Sequence, residues 1–164
     1  MKTLYLSLVL GVLGCSTLQA QTTQPALVSQ ALQAPTITYI TDDKPAADAK
    51  FYVYLCSASW CPPCRAIMPK IVAEYPQIKA AGGEIILLCF DSTQAAGVSY
   101  LKKYNASFPT MMANGENMSN IVMNLPGFTP PRGIPFAVFV TADGKVLSKG
   151  HGNTVLNWKV ITNK

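Results

Sequence analysis

One histidine, His151, is all that this 164-residue sequence contains. A single imidazole with no placed partner makes no Ser-His-Asp set. Charged residues are also scarce, at 13% of the chain, and the 13 Lys and Arg are scattered without forming a run. The net charge of +5 therefore carries no nucleic-acid footprint, and no nucleic-acid partner is expected. There is no Gly-rich phosphate loop and no nucleotide fingerprint. A zinc site takes about four ligands, and no second cysteine pair stands at motif spacing, so no resident metal is expected. Long apolar runs are missing as well. The one candidate, residues 4–13, is too short to cross a bilayer.

That run follows Lys2 and reads as the apolar core of a signal peptide over residues 1–20. Two endings remain open. Val12-Leu13-Gly14-Cys15 is patterned like a lipobox, which would put a lipid on Cys15; cleavage after Ala20 is the other. Both send the chain to the periplasm or cell envelope, where disulfides can form. A membrane is then met only through a lipid anchor. Residues 21–35, rich in Gln, Ala, Thr and Pro, are expected to form a tether with one helical turn near 26–32. Residues 36–164 are expected to form one domain.

The densest chemistry lies at Trp60-Cys61-Pro62-Pro63-Cys64. An apolar run precedes it at 51–56, and a helix-like stretch follows. A Cys-x-x-Cys at a strand-to-helix junction sets its first sulfur at a helix N-terminus, where free N–H groups and the helix dipole favour thiolate. The thiolate attacks disulfides, and the second cysteine is near enough to displace the product. Pro62 and Pro63 each lack an N–H, which removes two donors from the Cys61 thiolate, whereas Arg65 adds a positive charge nearby. A moderate lowering of the Cys61 pKa is expected.

Around this motif the pattern alternates. Strands are predicted at 36–41, 51–56, 84–90, 136–140 and 145–149, with a turn at Ala142-Asp143-Gly144. Helices are predicted from Arg65 to near Gly82-Gly83, over 94–104, and from about Thr154. Residues 105–132 read as irregular. Strands that alternate with helices and finish in a hairpin imply an α/β fold with a central mixed sheet.

With these residues in view, the chain resembles the thioredoxin superfamily. Ser57-Ala58-Ser59-Trp60-Cys61-Pro62-Pro63-Cys64-Arg65 is most similar to the tryparedoxin and nucleoredoxin branch and to thioredoxin-like proteins of bacterial envelopes. Pro69 stands where that family kinks its active-site helix. Arg132-Gly133-Ile134-Pro135 resembles its cis-proline loop, and Gly152 matches the glycine bordering its substrate groove. The resemblance covers roughly residues 36–160 and implies a thioredoxin fold. It also implies Cys61 and Cys64 as a redox-active pair needing no other cofactor. Trp60, Ile134, Pro135 and Gly152 would contact substrate, while Pro62, Pro63 and Arg65 would tune the pair. One departure is plain: the carboxylate that thioredoxin buries six residues before its nucleophile is here Leu55, so no proton moves through that position.

Two further groups admit more than one reading. Cys56 and Cys89 each fall in a predicted buried strand, as small hydrophobes or, if neighbours in register, as a second disulfide. Met111, Met112, Met118 and Met123 are either adaptable packing or, with the cysteine pair, soft ligands for Cu(I) in a metallochaperone. Asp91 and Glu84 read as single carboxylates with no reason to be paired. The sequence thus points to an exported thiol–disulfide oxidoreductase. Its expected partners are client proteins carrying disulfides or dithiols, and an upstream thiol donor or acceptor.

Overall fold

The computed structural model describes residues 26–163. The signal segment at 1–20, with Cys15 and Ala20, lies outside the described residues, as do residues 21–25 of the expected tether.

In chain order the elements are α1 (Leu27–Leu32), β1 (Phe51–Ser57), α2 (Pro62–Ala80), β2 (Gly83–Cys89) and α3 (Gln94–Tyr104). They continue with β3 (Thr110–Met112), α4 (Gly115–Asn120), β4 (Phe136–Thr141), β5 (Val146–His151) and α5 (Trp158–Thr162). The strands form one sheet in the order β3-β2-β1-β4-β5. β1, β2 and β3 run parallel, while β4 is antiparallel to both β1 and β5. This is the mixed sheet expected from the alternating pattern.

β1 and β2 are apolar along nearly their whole length because both faces of the sheet are covered. Side chains alternate across a strand, so Phe51, Val53 and Leu55 enter one core with Ile67, Met68 and Ile71 of α2, Leu101 of α3 and Trp158 of α5. Tyr52, Tyr54 and Cys56 enter the other, with Val28 and Leu32 of α1 and with Val122 and Leu125. Each such fully buried aliphatic side chain contributes about 1.5–3 kcal/mol.

Three expectations are corrected here. From Leu27 onward the supposed tether is part of the folded body: Val28, Ser29 and Leu32 are all buried, because the apolar face of this short helix closes the second core. Residues 36–41 form no strand. Ile40 donates one backbone bond to the Thr110 carbonyl, and Thr41 Oγ1 bridges Phe108 O and Thr110 N. Tyr39 is turned the other way, its hydroxyl donating to Leu32 O, so the segment crosses the edge of β3 without building a ladder. Finally, β3 and α4 lie inside the stretch read as irregular; at three and six residues they are too short to leave a periodic signal.

The carboxylates also differ from expectation. Glu84 is fully buried at the start of β2 and accepts from Tyr75 Oη, Lys79 Nζ and Ala46 N. Removing it would take the acceptor from Tyr75 Oη and Ala46 N, and an unsatisfied buried donor costs about 1–3 kcal/mol.

Candidate active site

β1 delivers the chain to the C-terminal end of the sheet, and the peptide turns through Ala58-Ser59-Trp60 into α2. Cys61 is the N-cap of α2, in extended conformation, and Pro62 and Pro63 fill the first helical positions. Proline suits those positions, because its ring presets the helical φ and the missing N–H would find no partner within the helix. The next N–H, that of Cys64, points at Cys61 Sγ at 3.2 Å. Two donors are thus absent at this helix start, and the third is aimed at the sulfur.

Cys61 and Cys64 form a disulfide with their Cα atoms 5.2 Å apart. Cys61 is 3% exposed and Cys64 is 0% exposed, so the first sulfur is the one nearer solvent. Ala58, Ile134 and Phe90 surround them. The carbonyl oxygen of Ile134 lies 3.6 Å from Cys61 Sγ, and the Ile134–Pro135 peptide is cis.

Each remaining residue singled out from the sequence has a definite place. Trp60 is 58% exposed beside the pair, its indole N–H donating to Phe90 O at 3.2 Å. Arg65 reaches back one turn and donates to Ser59 O at 2.9 Å. Gly152 is buried and donates its N–H to Pro135 O. A Cβ there would lie 2.7 Å from Pro135 Cβ, closer than carbon atoms pack, which explains glycine at this position. Pro69 lies within α2, which also runs through Pro76. A cleft of about 600 Å³ follows the proline loop, lined by Ile134, Pro135, Arg132, Lys149 and His151 among others.

Asp91 is the residue that sequence reasoning missed. It stands two residues past the end of β2 and is 1% exposed. Its carboxylate accepts from Ser59 N at 3.0 Å, Ser59 Oγ at 2.5 Å and Cys89 Sγ at 3.2 Å. The loop that presents Cys61 is therefore fastened to the end of the neighbouring strand. A signal did exist: two parallel strands end at the same edge of a sheet, so a carboxylate just past β2 stands beside a loop just past β1.

The other cysteines and the methionines do not join the pair. Cys56 faces the second core, while Cys89 lies against Gly97 of α3 on the opposite face. Both are free, since cysteines on opposite faces of a sheet cannot be bridged. Burial pushes each thiol up to about 12. Met111 and Met118 pack into the second core, Met112 is buried in β3 and Met123 is exposed; none belongs to the cluster around Cys61. Among the described residues no group of three or more His, Cys, Asp or Glu is placed to hold a metal.

Comparison with known proteins agrees with this arrangement. The family model described as AhpC/TSA family matches residues 33–146. Thiol-disulfide oxidoreductase ResA of Bacillus cereus is 32% identical over 91 residues, 56% of this chain and 49% of that protein. Nucleoredoxin of Mus musculus is 31% identical over 103 residues, 62% of this chain and 22% of that protein. This chain thus spans about half the length, or less, of these curated relatives. A thiol:disulfide interchange protein, thioredoxin family protein, from Chlorobium tepidum TLS superposes with a TM-score of 0.61 at 22% identity, covering 77% of this chain and 88% of that one. That likeness gives the fold, which is the thioredoxin fold.

Proposed function

The chain belongs to the AhpC/TSA family, and from that premise we propose that it is an exported thiol–disulfide oxidoreductase acting on client proteins through Cys61 and Cys64. The observation that carries the reading is the disulfide at the start of α2, with the Cys64 N–H aimed at Cys61 Sγ. A donor and a helix N-terminus at that sulfur stabilise negative charge on it once the pair is reduced.

In the reducing direction, the Cys61 thiolate attacks one sulfur of a client disulfide. A Cys61–client bond forms, and the other client sulfur leaves as a thiolate that takes a proton from water. Cys64 then loses its proton to water and attacks Cys61 Sγ. The second client thiolate departs, and the Cys61–Cys64 bond closes. Two electrons pass from the pair to the client, and the reverse sequence oxidises a dithiol. An upstream thiol partner resets the pair.

Trp60, Ile134 and Pro135 form the client contact surface in this reading, and buried Gly152 supports Pro135 from behind. Trp60 offers an exposed apolar wall, and the Ile134–Pro135 backbone can hold an extended segment. Pro62, Pro63 and Arg65 tune the pair, Arg65 by its charge and by tying down Ser59. Export rests on the signal-like residues 1–20, which end either in a lipid anchor on Cys15 or in cleavage after Ala20. Among the described residues no helix is long and apolar enough to cross a membrane.

Mass-resolved alkylation of the reduced protein tests the assignment. Cys61 is expected to react first, with a thiol pKa below the free value of about 8.5, and a peptide disulfide should protect Cys61 and Cys64 together. Faster reaction at Cys64, or a peptide disulfide that protects neither thiol, contradicts it.

A further inference from the structure

Three clefts lie along the proline loop, beside Pro63 and behind Ser59, and Arg, Lys and His line them with no Asp or Glu. The cleft along the proline loop carries Arg132, Lys149 and His151. A second, beside Pro63, carries Lys70 and shares His151. The third, behind Ser59, carries Arg65 and Lys103. Among the described residues the one ion pair is Lys79–Glu84, so none of these Arg and Lys side chains is paired with a carboxylate there.

The acidic residues are elsewhere. Asp42, Asp43 and Asp48 precede β1, Glu84 opens β2, and Asp143 lies in the β4–β5 turn. β1 runs toward Cys61 and β4 runs away from it, so all five stand at the opposite end of the sheet. Glu74 is bonded to Trp158 Nε1, Asp91 is buried under the loop, and Glu116 on α4 lines none of the three clefts. The charges that line the clefts beside the Cys61 loop are therefore of one sign, although Glu116 and the buried Asp91 stand at the same sheet end.

We propose that the client segments docking here are acidic, with Asp or Glu flanking the disulfide or dithiol. This rests on the oxidoreductase reading above and adds the substrate class. Exposed charges of this kind contribute little affinity one by one. Together they steer encounter, select against basic partners and fix orientation, and their effect falls with salt.

Two synthetic peptides with one internal disulfide each, alike except for Glu or Lys at the flanking positions, test the proposal with the reduced protein. Each rate is divided by the rate with a small neutral thiol, which removes differences in the peptides' own reactivity. The Glu peptide should react about tenfold faster than the Lys peptide at low salt. The two rates should converge near 1 M salt, where the screening length is about 3 Å. Arg132→Gln combined with Lys149→Gln should lower the Glu-to-Lys rate ratio, a readout in which any general loss of activity cancels. Equal rates at low salt, or a ratio unchanged in the double variant, overturn the acidic-client proposal alone. Failure to exchange even with a small neutral disulfide overturns the oxidoreductase reading beneath it.

Discussion

Asp91 and Cys89 illustrate how single side chains set the behaviour of this protein. Asp91 directs its oxygens to Ser59 and Cys89, which makes it a positioning residue for the loop that carries Cys61. The buried thiols Cys56 and Cys89 have a different consequence. Burial raises both to about 12, whereas an unfolded thiol titrates near 8.5. Between those values the unfolded chain has lost protons that the folded chain keeps. Their stabilising contribution is therefore complete below about pH 8.5 and is lost as pH rises toward 12, by up to about 1.4 kcal/mol per pH unit for each thiol. Buried Tyr100, also raised to about 12, adds to the same trend. Denaturant titrations of the oxidised protein between pH 8 and 11 should show stability falling more steeply in the wild type than in a Cys56→Ala, Cys89→Ala double variant. Equal slopes would contradict the assignment of buried, neutral thiols.

At the scale of elements, the site is an agreement between the start of α2, the proline loop and the start of the turn at 152–157. Gly152 sits where that agreement is tightest. Placing a Cβ 2.7 Å from Pro135 Cβ forces the loop to move, and overpacking of this kind costs about 1–3 kcal/mol. Gly152→Ala should lower Tm and reduce turnover on a peptide disulfide by more than turnover on a small disulfide reagent. Equal losses on both would leave Gly152 a packing residue only. Much of this element scale was legible in the sequence. β1, β2 and β4 are near-continuous apolar runs because both sheet faces are covered, and the helix expected from Arg65 begins three residues earlier, at Pro62. What escaped was set by tertiary contacts. Residues 36–41 have an alternating pattern yet form no ladder, since Tyr39 is drawn to Leu32 O and the one backbone bond to β3 comes from Ile40. α1 is too short to declare its apolar face, and β3 becomes a strand only because β2 offers it an edge.

For the whole molecule, the topology brings chemistry and charge to one end. Parallel β1 and β2 finish side by side, placing Ser59, in the loop that carries Cys61, against Asp91, while antiparallel β4 begins there with Pro135 in front of it. The cysteine motif was visible as sequence; the cations of the three clefts, Arg65, Lys70, Lys103, Arg132 and Lys149, were not, because they are spread over several elements and form no run. The central claim is that Cys61 attacks and Cys64 resolves. Resolution fails without the second thiol, so Cys64→Ser should accumulate covalent client adducts on Cys61, recoverable after acid quench on a non-reducing gel. Cys61→Ser should capture almost nothing. A copper carrier would instead lose metal to a similar extent in both variants and form no adducts. Adducts are expected with Cys64→Ser alone; their absence there, or equal capture by both variants, contradicts Cys61 as nucleophile and Cys64 as resolving thiol.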